Sequence, residues 1–166
     1  MTTQDALKLF QTYLSELVEI GGKNLPKSIS SGLGAKLAKI YKKKGINDII
    51  SGLRKSYQVL NGSPEFKEIE KDKWEIKINY SNHFCPIGGK KKSSRGNLIR
   101  ESICIPYTIG FLNEMNSEYF YRLKSEECIL ETGDNICHYM LQRKRKQKDN
   151  NYKLGRRKRN KTIRES

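Results

Sequence analysis

Apolar residues recur at helical spacing through the first sixty positions of the chain. Ala6, Phe10, Tyr13, Leu14, Leu17 and Ile20 predict an amphipathic helix over residues 4–20, capped by Thr2 or Thr3 and stopped by Gly21-Gly22. Asn24 and Pro26 open a second helix. Its expected apolar face carries Ile29, Leu33, Leu37, Ile40 and Tyr41, and Gly45 ends it. A third helix follows on Ile46, Ile49, Ile50, Leu53, Tyr57 and Leu60, closed by Asn61-Gly62.

The period then switches to two. Trp74, Ile76, Ile78 and Tyr80 alternate without a break, which predicts a half-buried strand. Phe66 to Glu70 is its expected hairpin partner across Lys71-Asp72-Lys73. The segment HFCPIGGKKKSSRGN reads as loop. LIRESICIPYTIGFLNEM predicts a helix at least after Pro106, which suits a first turn. Tyr119 to Leu130 and Ile136 to Leu141 complete the set as two strands around the turn Thr132 to Asn135. The expected fold class is α+β. N-terminal helices pack on a small antiparallel sheet with a cysteine-containing C-terminal hairpin, and a basic tail follows.

Charge divides the chain unevenly. Of the net +15, residues 142–166 hold +10, with twelve Lys/Arg against two acids. Residues 1–141 hold the remaining +5. The division predicts a domain over 1–141 and a basic tail over 142–166. Such a tail has no apolar periodicity and suits a polyanion, because each neutralised phosphate releases a counterion. Its candidate nucleic-acid ligands are Arg143, Lys144, Arg145, Lys146, Lys148, Lys153, Arg156, Arg157, Lys158, Arg159, Lys161 and Arg164. Lys90, Lys91, Lys92 and Arg95 form a second basic cluster. No segment is apolar for the length of a membrane span. The N-terminus MTTQDALK has no basic region followed by an apolar core, so no secretory signal is expected. That points to the cytoplasm, where the four cysteines stay reduced.

Three stretches together, CPIGG, ICIPYTIGFLNEM and EECILETGDNICHYML, resemble the 4-vinyl reductase-like domains. These share a fold with TRAPP-type vesicle-tethering subunits and include archaeal hydrocarbon-binding and methanogen output domains. The resemblance covers roughly residues 25–141. It implies a binding or sensory module. It also implies a zinc site in which Cys104, Cys128 and Cys137 match the family's cysteines. The family's glutamate falls on Ser125 here, and Cys85 is the alternative fourth ligand.

Chemistry read from the residues leaves two uses for those cysteines. Thiolates serve tetrahedral Zn2+ well, yet free cysteines are also small buried hydrophobes. Neither His83 nor His138 lies in a catalytic motif. Gly88-Gly89 lacks the spacing of a phosphate-binding loop. The expected function is therefore non-enzymatic. The main expectation is docking on RNA, plausibly ribosomal RNA beside ribosomal proteins, through the tail. The alternative is a sensory domain that holds a small apolar ligand, with the tail on DNA. A sensor requires a cavity of a few hundred Å³ between helices and sheet, whereas a docking module is packed solid.

Overall fold

The computed structural model describes residues 19–89 and 93–147, together with positions 9, 12, 13, 16 and 17. The expected first helix thus lies largely outside the described residues; its described positions are helical. Lys90 to Lys92 and the chain from Lys148 onward also lie outside them. Helix α1 spans Asn24–Lys43 and α2 spans Ile49–Gln58. Asp48 caps α2 by accepting from the Ser51 amide at 2.7 Å. Strands β1 (Gly62–Glu70) and β2 (Lys73–Tyr80) form a hairpin. A 3₁₀ turn (Ser81–His83) and the Cys85–Gly89 loop lead to α3 (Ser93–Ile99). The helix continues through a π-helical turn, Arg100–Cys104, into α4 (Ile105–Met115). Strand β3 (Tyr119–Glu127), a short helix α5 (Ile129–Thr132) and β4 (Ile136–Arg145) complete the described fold.

The sheet is antiparallel with strand order β1-β2-β4-β3. Its inner face carries Trp74, Ile76, Ile78 and Tyr80 from β2 and Cys137, Tyr139 and Leu141 from β4, all buried. Phe111 and Leu112 of α4 and Leu53 of α2 close the core over them, with no exposed surface. The α+β architecture expected from the alternation is therefore the one observed.

Three local expectations are corrected. The buried face of α1 is Pro26, Ser30, Gly34, Ala38 and Tyr41, while Ile29, Leu33 and Ile40 are exposed. The reason is the close crossing with α4. A Cβ on Gly34 would overlap the carbonyl oxygen of Tyr107, and one on Gly110 would overlap that of Ser31. Backbones this near leave room only for small residues.

The strand expected over Tyr119 to Leu130 ends at Glu127. Ile129 and Leu130 are both buried, at 1% and 0% exposure. A strand would turn one of two neighbours outward, whereas a helical turn buries both. Gly133 closes that turn with φ of 80°.

Finally, β4 runs on to Arg145, so the first basic residues assigned to the tail belong to the sheet. The Arg143 guanidinium lies 5.0 Å from the Trp74 ring centroid and 4.7 Å from that of Tyr119. Its Nε donates to Asp72 Oδ1 at 2.6 Å.

Candidate functional site

Between the helices and the inner face of the sheet lies a cavity of about 220 Å³. Strand alternation aims Ile78, Tyr80 and Tyr139 into it from below. From above, Tyr57 of α2 and Tyr107 and Thr108 of α4 face it. The π-helical turn delivers Ile103 and Cys104 to its wall. A π-helical turn spaces its side chains unlike an α-helical one, and such turns often mark functional sites.

The walls are apolar with a few neutral polar groups. The Tyr57 hydroxyl shares a hydrogen bond with Thr108 Oγ1 at 3.3 Å. Burial pushes the Tyr107 phenol up to about 12 and raises those of Tyr57, Tyr80 and Tyr139 further. Burial also raises the Cys104 thiol, with nearby Cys85 and Cys128 adding to the effect. The wall therefore carries no charge around neutral pH. It offers hydroxyl and thiol groups to a ligand, and no formal charge.

The four cysteines gather at one end of this cavity, each in a different setting. Cys85 Sγ accepts from the Gly88 amide at 3.2 Å within its own tight loop. Gly88 in turn sits against Leu130 of α5, where a side chain would clash. Cys104 lines the cavity and interacts with Tyr139. Cys128 is not on a strand facing Cys137, as the hairpin reading expected. It occupies the N-cap position of α5, and its thiol hydrogen-bonds with that of Cys137 on β4. Among the described residues no group of three or more His, Cys, Asp or Glu is placed to hold a metal ion. Cys85, Cys104, Cys128 and Cys137 thus converge without forming the zinc-ligand set that the resemblance implies.

The Cys128–Cys137 pair has a pH signature. The hydrogen bond from Cys137 lowers the Cys128 pKa, and the same bond, with burial, raises that of Cys137. A lowered thiol adds stability above its unfolded pKa and loses it as pH falls through the lowered value. A raised thiol adds stability that is lost as pH rises beyond the ordinary thiol range. The melting-temperature difference between wild type and Cys137→Ala is therefore expected to grow from acid to mildly alkaline pH, then to shrink. A flat difference across that range would contradict the shared proton.

Of the candidate nucleic-acid ligands, Arg143 is committed to Asp72 and the two rings. Lys144 and Arg145 end β4, and the Lys146 amide donates to the Glu118 carbonyl at 2.8 Å. Arg95 lies in α3, half-buried. His83 is in the exposed 3₁₀ turn, and His138 Nε2 lies 3.1 Å from Glu75 Oε1 on the opposite face of the sheet from Cys137. The tyrosines of the cavity were not singled out by sequence reasoning. The available signal was Tyr80, which continues the inward Trp74-Ile76-Ile78 series with a polar tip.

No family model matches the chain, and no curated protein matches it. Solved structures do. The fold is similar to that of trafficking protein particle complex subunit 3 from Naegleria fowleri, covalently bound to palmitic acid in its crystal structure. The likeness covers 89% of this chain and 98% of that one, with a TM-score of 0.61 and 11% identity. A weaker likeness, with a TM-score of 0.49 and 15% identity, links it to the phenol-responsive sensory domain of the transcription activator PoxR, crystallised with phenol. That match covers 86% of this chain and 74% of the other. No described helix is long and apolar enough to cross a membrane.

Proposed function

We propose that the chain is a non-enzymatic binding module that holds a small, neutral, largely apolar ligand in the cavity between α4 and the sheet. The cavity itself carries this reading. At about 220 Å³ it exceeds the roughly 150 Å³ of an engineered apolar cavity that takes benzene, and its wall is uncharged. A domain built only for RNA docking has no use for such a space. The protonated Cys104 thiol favours non-covalent capture. The TRAPP-like fold, with the CPIGG loop and the cysteines of the C-terminal segment, supports placing the chain among the 4-vinyl reductase-like domains. Four free thiols suit a reducing compartment such as the cytoplasm.

Ligand occupancy would bear on Tyr107 and Thr108, in the helix that packs on α1, and so provides a route from cavity to surface. The basic segment beyond the sheet is the proposed contact to a nucleic acid.

The test is thermal shift and calorimetry with single-ring aromatics, short alkanes and palmitic acid as probes. At least one class is expected to raise the melting temperature saturably. Cys104→Leu, which fills the wall, is expected to weaken that binding at least tenfold while the protein stays folded. A protein that binds no neutral apolar compound at millimolar concentration would refute the reading.

A further inference from the structure

On the side of the sheet away from the cavity, the β3–β4 pair presents a second kind of surface. Phe120 is 63% exposed there, although a buried site for an aromatic exists one residue away on the other face. Its cross-strand partner is Lys144, and the next outward pair is Arg122 with Gln142. All three of these neighbours are exposed. The Lys146 ammonium lies 4.9 Å from the Phe120 ring centroid. Two carboxylates border the patch. Glu126 pairs with Lys124 at 2.9 Å, and Glu118 with Arg145 at 3.6 Å. Neither reaches Arg122 or Lys144, which the described ion pairs leave without a carboxylate.

We propose that this patch, centred on Phe120 with Arg122, Gln142, Lys144 and Lys146 around it, is a docking surface for single-stranded nucleic acid. Charge complementarity selects the partner. The patch is cationic, and only two residues past Lys146 the chain enters a segment, 148–166, with eight Lys/Arg against two acids. A polyanion attracted by that segment is delivered to the patch at high effective concentration. An exposed ring on an open antiparallel sheet then gives a base a stacking platform, as other four-stranded sheets do. Outward side chains on β3 recur about every 6.8 Å, which sets Phe120 and Arg122 as successive stations along an extended strand. Gln142 adds an amide that can donate to or accept from a base edge. A duplex hides its base faces, so the ring discriminates for single strands. One ring among charges offers little apolar area to a lipid core. This inference does not rest on the cavity ligand.

The experiment is fluorescence anisotropy of the full chain with a short labelled single-stranded RNA of mixed sequence, the matching duplex, and phosphatidylserine vesicles. Phe120→Ala is expected to weaken single-strand binding roughly 5- to 100-fold, with duplex binding unchanged. Phe120→Tyr should restore it. The pair Arg122→Glu and Lys144→Glu should weaken both and flatten the salt dependence. Because Phe120 is exposed, the melting temperature checks that the fold survives. Three results would overturn the proposal: no binding of any nucleic acid at low salt, single-strand binding indifferent to Phe120→Ala, or Phe120-dependent binding to the vesicles alone.

Discussion

A chain ended after Leu141 is expected to lose its cooperative unfolding transition, whereas one ended after Gln147 keeps it. The shorter chain leaves Tyr119, Phe120, Tyr121 and Arg122 of β3 without partners, because they pair with Arg145, Lys144, Arg143 and Gln142. It also removes the Arg143 amide bond to the Asp72 carbonyl at 2.9 Å and the side-chain pair to Asp72 at 2.6 Å. Trp74 and Tyr119 lose the guanidinium between them. Each cation–π contact contributes about 0.5–2 kcal/mol, and each lost hydrogen bond about 1 kcal/mol. The sum reaches roughly 4 kcal/mol or more, a large part of the 5–15 kcal/mol typical of a domain. Residues 148–166 carry none of these contacts, so their removal should move the melting temperature by no more than about 2 °C. Circular dichroism melts of the two truncations decide the matter. Equal stability would mean that β4 effectively ends with its apolar residues.

Gly34→Ala should be the most destabilising single methyl addition in the described chain. The new Cβ would overlap a backbone carbonyl, that of Tyr107, which no rotamer change can move. Overpacking of this kind costs about 3 kcal/mol, and more where backbone must shift, which lowers the melting temperature by roughly 10 °C. Gly110→Ala meets the Ser31 carbonyl across the same crossing and should behave alike. Once one methyl has forced the helices apart, the second costs less, so the double variant should fall short of the sum. Gly32→Ala is the control. Nothing lies within 4 Å of its Cβ, and helix propensity alone should make it neutral or slightly stabilising.

The contrast between the two halves of the fold shows what a sequence reveals. The β2 alternation was legible because one face of that strand is buried over its whole length, from Trp74 to Tyr80. The third predicted helix was legible for the same reason, since Ile49, Leu53 and Tyr57 all meet the core. Helix α1 misled because hydrophobicity marks burial only where large side chains make the contact. Here Ser30, Gly34 and Ala38 make it, and Leu33 is left 53% exposed. The cavity was expected only as one of two options, since empty space leaves no mark on residue types. Its tyrosines read as ordinary core aromatics. Convergence of the four cysteines was legible through the resemblance, but the pairing of Cys128 with Cys137 through a helix cap was not.

The π-helical turn at Arg100–Cys104 makes the site unusually sensitive to length. The helix from Ser93 to Met115 is continuous, so a turn with one residue more than an α-helical turn sets the angular phase of everything after it. Each residue of an α-helix advances about 100°. A single in-frame codon deletion within the turn would leave a more regular helix, yet swing Tyr107 and Thr108 away from the cavity and Gly110 away from Ser31. A lineage that had lost that codon would keep the helix while losing both the binding pocket and the close helix crossing. An insertion or deletion there is thus a far larger evolutionary step than any substitution at the same positions.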